Sequence, residues 1–416
     1  MIPLAEARQY VISACEPLKP SSKAVIDSSG HVLAETVRAI EAVPPFANSA
    51  MDGYAVRAAD TVSPPARLRV VGSVMAGDQP KTSVHPGESV RIMTGAPIPS
   101  GADAVCMIER TQVEEDGSIV IIEQSVDQGT NVRNAGEDVM AGDEVFGPGT
   151  HIGPAHIGVL ISVGVDELLV HGRPAVGVLS TGNELVTTAG ALAPGKIRDS
   201  NRPTLLAQLA KDGFVGVDLG TAGDDEMALA DVLEAASSRC DAIMVSGGVS
   251  VGDLDITKAV LKKLCGTTMR SMQIAIKPAK PFAFGVLKVA GTPVFGLPGN
   301  PVSALVSYEL LVRPALRVMA GFTVLDRPRL AGVAEMDLAR RPDGKLHLLR
   351  VTAHIGADGT LYVRSSGGQG SHMMRAMARS NALALLPDGE HARTGERVEV
   401  LILDDDELAC DVDEPC

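Results

Sequence analysis

From about residue 173 the chain repeats one arrangement: a short apolar run, a glycine turn, then a stretch with helical spacing. The runs are 176–179, 242–245 and 292–297, followed by Ser180-Thr181-Gly182, Ser246-Gly247-Gly248 and Pro298-Gly299-Asn300. Alternation of this kind predicts a right-handed βαβ layer fold with a parallel sheet. One helix opens at Asn201-Arg202-Pro203 and carries Leu205, Leu206, Leu209 and Ala210, and a strand follows over 215–219. Asp224 is the expected cap of a second helix with Met227, Ala230, Leu233 and Ala236 inside. Asn300 caps a third, with Pro301 in its first turn and Ala304, Tyr308, Leu311, Ala315 and Met319 facing inward.

The rest of the chain reads differently. Residues 3–15 form a short amphipathic helix with Leu4, Ala7, Val11 and Ile12 on one face. From about 45 to 145, β-branched runs at 70–71, 90–93 and 119–122 are punctuated by Gly77-Asp78, Gly101, Asp116-Gly117 and Gly142-Asp143, the pattern of a mostly β domain. Met-Ala-Gly-Asp occurs twice, at 75–78 and 140–143, as two similar turns. After Arg327-Pro328-Arg329 a small barrel is expected, ending near Leu403. Asp343-Gly344 and Asp358-Gly359 are read as hairpin turns there, and Asp388-Gly389 as a further turn.

Charge and cysteine usage narrow the function classes. The net charge is −14, and the stretch Asp404 to Cys416 holds seven acidic residues and no basic one, a composition expected of a solvated, disordered tail. An acidic balance with 3% aromatics argues against nucleic-acid binding, which wants a basic face and stacking rings. The six cysteines form no CxxC pair, so neither a disulfide framework nor a zinc site is indicated. No run is long and apolar enough to span a membrane, and the N-terminus lacks a signal peptide's layout. A cytoplasmic location is expected.

In a parallel sheet all three glycine turns fall at the carboxyl edge of the strands, where ligands bind. Glycine lets backbone approach a ligand, and exposed N–H groups suit an anion. Together with Lys277 and Lys280, this suggests a site for a phosphorylated ligand. The segment 246–255 offers Ser246, Gly247 and Gly248 to a phosphate and Asp253 and Asp255 to Mg²⁺; a plain glycine connector with Asp255 as helix cap reads equally well. In Lys277-Pro278-Ala279-Lys280-Pro281 the prolines stiffen the backbone between two lysines, which suits a fixed anion, although solvated lysines are the commoner case. Asp224 and Glu184 each follow a strand and fit either a carboxylate cluster with Asp255 or capping and turn roles. Asp52, in an Asp-Gly pair, is a turn residue by default. The nine histidines show no ligand spacing, and Ser246 has no Gly-x-Ser-x-Gly context.

The series SAMDGYA, RIMTGAPIPSGADAV, NVRNAGEDV, STGNELV, SGGVSVGDLD, IKPAKPFAFG, GLPGNPVSA and GQGSH, spanning residues 49–372, resembles the molybdopterin molybdenumtransferase family (MoeA, and the E domain of gephyrin and its plant counterpart). The resemblance implies a multidomain α/β plus β protein, elongated. Its parts are a discontinuous N-terminal helical and linker region (1–44 and 141–172), a β-rich domain (45–140), a three-layer α/β molybdopterin-binding catalytic domain (173–323), a small C-terminal β-barrel (324–403) and the acidic tail (404–416). It implies insertion of molybdate into adenylylated molybdopterin with release of AMP and with Mg²⁺ as cofactor. The alternatives are an adenylyltransferase of molybdopterin or a non-enzymatic scaffold.

Carried over position by position, Asp52, Thr94, Glu184, Asp224, Asp255, Lys277 and Lys280 match residues tied to activity, with Asp224 and Asp255 as the metal pair. Arg133 and Asp138 resemble substrate-cleft residues. Ser180, Gly182, Ser246, Gly247, Gly248, Pro298, Gly299 and Asn300 are the implied binding turns. Lys280, Pro281, Ser303, Arg350 and Ser371 resemble the molybdate pocket. The resemblance further implies a homodimer whose β domain lends Asp52 and Thr94 to the partner's cleft. Molybdopterin adenylyltransferase and molybdoenzyme-maturation proteins are the other expected partners. Gln273 stands where some members carry a second lysine, Asn183 where an acid is frequent, and Leu254 where an aromatic is frequent.

Overall fold

The computed structural model describes all residues except 188, 250–255, 407 and 409–416. The chain divides into two compact units, Ser22–Val170 and Met1–Ser21 with His171–Cys416.

The larger unit begins with α1 (Leu4–Ser13), which starts after Pro3 and buries Ala7 and Val11. Its main sheet contains β1 (Ala175–Thr181), β2 (Val215–Ala222), β3 (Ala242–Ser246), β4 (Arg270–Gln273), β5 (Pro281–Val286) and β6 (Pro293–Leu297). The order is β2-β1-β3-β6-β5-β4. The first four are parallel to one another, whereas β5 runs antiparallel to both its neighbours, so the sheet is mixed and not wholly parallel. Strand side chains alternate between faces. Val176, Val178, Ala242 and Met244 enter one core with Leu205, Leu209 and α1, while Leu179, Ile243 and Val245 enter another with Leu229 and Leu233. Burial on both faces explains why these strands read as continuous apolar runs.

The helices are α2 (Asn201–Lys211), α3 (Glu226–Ser237) and α4 (Ile256–Cys265). Two of the expected caps are corrected. Asp225 caps α3, accepting from the N–H groups of Met227 and Ala228 at 2.9 and 2.8 Å. The helix is thereby rotated so that Leu229, Leu233 and Ala236 are buried and Met227 is exposed. Asn300 stands at the cap position of the third helix, but its side chain makes no capping hydrogen bond. That helix continues through a π-turn at Tyr308–Val312 to Met319, and its five expected core residues are all buried.

A closed five-stranded barrel follows, built from Arg329–Ala334, Leu346–Ile355, Leu361–Ser365, Ala382–Leu386 and Arg397–Ile402. Asp358-Gly359 is a hairpin turn, as expected. Asp343-Gly344 is not, because the strands on either side of it are not neighbours in the barrel. Barrel residues Leu348, Leu383, Leu385 and Leu401 join the α/β core.

The smaller unit holds a six-stranded sheet in the order Ala104–Met107, Gly53–Val56, Glu88–Ile92, Ala66–Val74, Ile119–Ile122, Thr111–Val113. The two Met-Ala-Gly-Asp turns are alike: Asp78 N–H donates to Met75 O and Asp143 N–H to Met140 O, each at 3.1 Å. Their glycines take φ +90 and +91. Among the described residues, no helix is long and apolar enough to cross a membrane. The described cysteines, Cys15, Cys106, Cys240 and Cys265, are free and buried.

Candidate functional site

The three glycine turns close one cavity of 590 Å³ at the carboxyl ends of β1, β3 and β6. Gly247 takes φ +105, and a Cβ there would stand 2.5 Å from Thr181 O, so two turns touch at a point where only glycine fits. The cavity is lined by Ser180, Gly182, Glu184, Asp224, Ser246, Gly247, Gly248, Pro298, Gly299 and Asn300, all anticipated from sequence. With α3 capped by Asp225, the Asp224 carboxylate is left to the cavity, where its Oδ2 accepts, among the described residues, a long 3.4 Å bond from Asn183 N–H. The Ser180 hydroxyl donates to Asp199, which lines the same cavity, at 2.9 Å. A strand pair, Leu185–Val186 with Ile197–Arg198, intervenes between the first turn and α2, so no helix starts directly at Gly182.

Asn201, the first residue of α2, is a site residue that sequence reasoning missed. Its amide donates to Ser246 Oγ at 2.7 Å and to Gly299 O at 2.8 Å, tying two glycine turns together. The only signal was a polar residue at a helix start. Each such bond contributes about 1 kcal/mol. Asn201→Ala is therefore expected to weaken binding of a phosphorylated ligand at this cavity about tenfold, measured by calorimetric titration. Unchanged affinity would show that the turns hold their spacing without this tie.

A second cavity of 490 Å³ shares Pro281, Pro298 and Asn300 with the first. Lys277, Lys280, Ser303 and Ser371 line it. The lysines flank a buried Pro278-Ala279 pair, and Ala279 sits at φ +75, so packing holds this turn in shape. Lys277 Nζ lies 4.0 Å from Asp343, and Lys280 makes no ion pair with another described residue. Arg350 stands behind Gln369 and Gly370, which also line the cavity. It is 0% exposed, and its Nη2 donates to Gly368 O at 2.8 Å and Gly370 O at 3.3 Å. Its Nε and Nη1 have no acceptor among the described residues. Burial presses its pKa down, yet a guanidinium stays charged at neutral pH. A buried cation with idle donors is costly unless an anion completes it.

In the smaller unit, Asp52 and Thr94 come together. Asp52 Oδ1 accepts from Thr94 Oγ1 and Thr94 N–H, both at 2.7 Å. The hydroxyl bond, then the backbone bond, hold the carboxyl below its ordinary range. Gly53 must be glycine, since a Cβ there would meet Cys106 O at 1.9 Å. Thr94→Val is expected to raise the Asp52 pKa, read from its carboxyl carbon by NMR titration; an unmoved titration would rule the hydroxyl out as the cause. Arg133 and Asp138 are exposed, and Arg133 lies on a short strand paired with Asn48–Ser49. Asp253 and Asp255 lie outside the described residues. Among the described residues no group of three or more His, Cys, Asp or Glu is placed to hold a metal. Gln273 Oε1 is buried without a partner among them and lies outside both cavities.

Family models match three stretches of the chain. They are the MoeA N-terminal region (domain I and II) over residues 2–164, a probable molybdopterin binding domain over 177–318, and the MoeA C-terminal region (domain IV) over 335–403. The chain is 38% identical over 403 residues to a molybdopterin molybdenumtransferase of Haemophilus influenzae, covering 96% of this chain and 98% of the relative. It is 33% identical over 413 residues to the protein of that name from Bacillus subtilis, covering 97% and 94%. A crystal structure of a MoeA protein from Pyrococcus horikoshii superposes with a TM-score of 0.79 at 31% identity, covering 97% of this chain and 99% of that one.

Proposed function

Because the chain belongs to the molybdopterin molybdenumtransferase (MoeA) family, we infer that it is an enzyme of molybdenum cofactor biosynthesis that inserts molybdate into adenylylated molybdopterin and releases AMP. The observation that carries this reading is the joined pair of cavities in one unit. One is lined by glycine turns and carboxylates; the other holds two lysines on a packed turn beside a buried arginine with idle donors. A pyrophosphate linkage suits the first and a tetrahedral dianion the second.

In this reading Ser246, Gly247, Gly248, Pro298, Gly299 and Asn300 seat the substrate's phosphates. Lys277, Lys280, Ser303, Ser371 and Arg350 hold molybdate against Pro281. Holding both reactants at one junction supplies orientation, and the fixed cations neutralise charge as the linkage breaks, with no covalent enzyme intermediate. Asp224 and Glu184 line the phosphate cavity, make no ion pair with another described residue and fit a divalent ion, with Asp255 as the further ligand implied by the family. Mg²⁺ bound there would offset phosphate charge. The working division of the chain keeps boundaries at 45, 141, 173 and 324, with a three-layer α/β catalytic part. A cytoplasmic homodimer in which Asp52 and Thr94 serve the partner's cleft, with Arg133 and Asp138 as substrate-cleft residues, completes the proposal.

The test is AMP release from adenylylated molybdopterin with Mg²⁺, with and without molybdate. Molybdate-dependent release that yields active cofactor supports insertion. Nucleotide binding without release would favour a binding or scaffold role.

A further inference from the structure

The second cavity carries a third lysine that no sequence motif singled out. Lys345 lines it at the start of the barrel strand Leu346–Ile355, with its side chain 19% exposed. Its ammonium donates to Asp343 Oδ2 at 2.8 Å. The same carboxylate accepts from His347 Nε2 at 3.0 Å, lies 3.5 Å from Arg340 Nη2 and 4.0 Å from Lys277 Nζ. Arg340 is held in turn by Asp388 and by the Lys345 carbonyl. The backbone is tied as well, because Lys277 and His347 are register partners where Ile276–Lys277 pairs parallel with the barrel strand. One carboxylate thus gathers side chains from the lysine turn and from the barrel.

On the reading that this cavity takes the oxyanion, we propose that Lys345 is a further oxyanion contact and that Asp343 is the positioning residue holding Lys345 and Lys277 at the cavity rim. A free lysine loses much rotamer freedom when it closes on a ligand; one already anchored loses less, so its charge is better used in binding. Asp343 stays ionised throughout the working range, its carboxyl drawn down to about 2, first by the Lys345 hydrogen bond and then by His347. Burial pushes His347 below its ordinary value, so at neutral pH it orients Asp343 without adding charge. Two carboxylates, Asp343 and Asp388, therefore face the three cations Lys277, Lys345 and Arg340, and the cluster keeps a surplus of one positive charge for a dianion.

The experiment uses the full chain with molybdate as the probe, measuring its binding by equilibrium dialysis and the molybdate concentration giving half-maximal AMP release. Lys345→Ala is expected to raise both about tenfold, and Lys345→Arg to restore most of the loss. Asp343→Asn is expected to weaken molybdate severalfold with a steeper loss in salt. A purely structural ion pair would move the thermal midpoint and leave half-saturation alone. Unchanged half-saturation in Lys345→Ala, or tighter molybdate binding in Asp343→Asn, overturns the proposal. Should the Asp343 variant fail to fold, the Lys345 pair of variants decides it. Wild-type protein that binds no molybdate would overturn the underlying reading too, whereas loss in Lys280→Ala with none in Lys345→Ala overturns this inference alone.

Discussion

Lys280→Ala is expected to lower molybdate-dependent AMP release at least a hundredfold while leaving the fold and nucleotide affinity intact. The argument starts from the backbone. Lys280 follows a buried Pro278-Ala279 pair whose alanine is held at φ +75, and its carbonyl accepts from Ile274 N–H at 2.8 Å. Its position therefore depends on main-chain packing that the truncation does not touch. The side chain makes no ion pair with another described residue, so removing it strands no counter-charge. What is lost is a fixed cation at the oxyanion cavity, and deleting one preorganised charge-stabilising donor typically costs about 10²–10³ in rate. Lys280→Arg keeps the charge but changes its shape, and an intermediate rate is expected. The measurement is AMP release across a molybdate titration, with calorimetric nucleotide binding as control. A variant that kept wild-type molybdate dependence would falsify the assignment of this cavity to the oxyanion.

Much of the α/β domain was legible because its strands are covered on both faces. The runs 176–179, 242–245 and 292–297 became β1, β3 and β6, and the glycine turns converge on one cavity. Adjacent acids were not separable by propensity. Asp224 and Asp225 are equal as capping residues on paper, and the choice rests on which one takes the extended φ −126, ψ 119 of the cap. That choice matters, since it leaves Asp224 to the cavity. Contacts distant in sequence were also hidden. Asn201 reaches Gly299 across 98 positions, and the cluster around Asp343 exists only because residues 276–277 pair with 346–347. The Asp343-Gly344 pair has the composition of a hairpin turn, but hairpin pairing depends on the neighbours the barrel supplies. Arg350 lay in an apolar run, and family resemblance rather than pattern pointed to it.

The largest stability effect is expected at a buried charge network in the larger unit. Asp212, at the end of α2, accepts from Arg313 Nε at 3.1 Å, Arg327 Nη2 at 2.8 Å and the Tyr308 hydroxyl at 2.8 Å. Arg327 also donates from Nε to Glu309 at 3.0 Å. The two carboxylates are only 5% and 4% exposed. The π-turn at Tyr308–Val312 itself carries Tyr308 and Glu309, Arg313 follows it directly, and Arg327 sits just before the barrel's first strand. The network therefore joins α2, the long helix and the entry to the barrel. Burial pushes the Asp212 carboxyl up, but Arg327 and Arg313 together outweigh it and hold it below its ordinary value. At Glu309 burial wins, and its pKa is raised. Arg327→Ala removes the cation they share and leaves two buried carboxylates near one another with Arg313 alone, a change of about 3–5 kcal/mol by analogy with other broken buried pairs. For a unit of this size that lowers the midpoint by about 10 °C in calorimetry. The sign of the pH effect follows from the two shifts. Asp212's stabilising contribution is present above its unfolded pKa and fades as pH falls through its folded one, whereas the cost of ionising Glu309 is felt above its raised pKa and is relieved on acidification. Without Arg327 the first shift shrinks and the second grows. The variant's deficit should therefore be smaller at pH 5.5 than at pH 7.5. A deficit under about 1 kcal/mol at pH 7.5, the range of an exposed pair, would mean that water reaches the network in solution. A deficit that grew on acidification would contradict both shifts, since each predicts a smaller deficit at low pH, and would overturn this electrostatic account of the network.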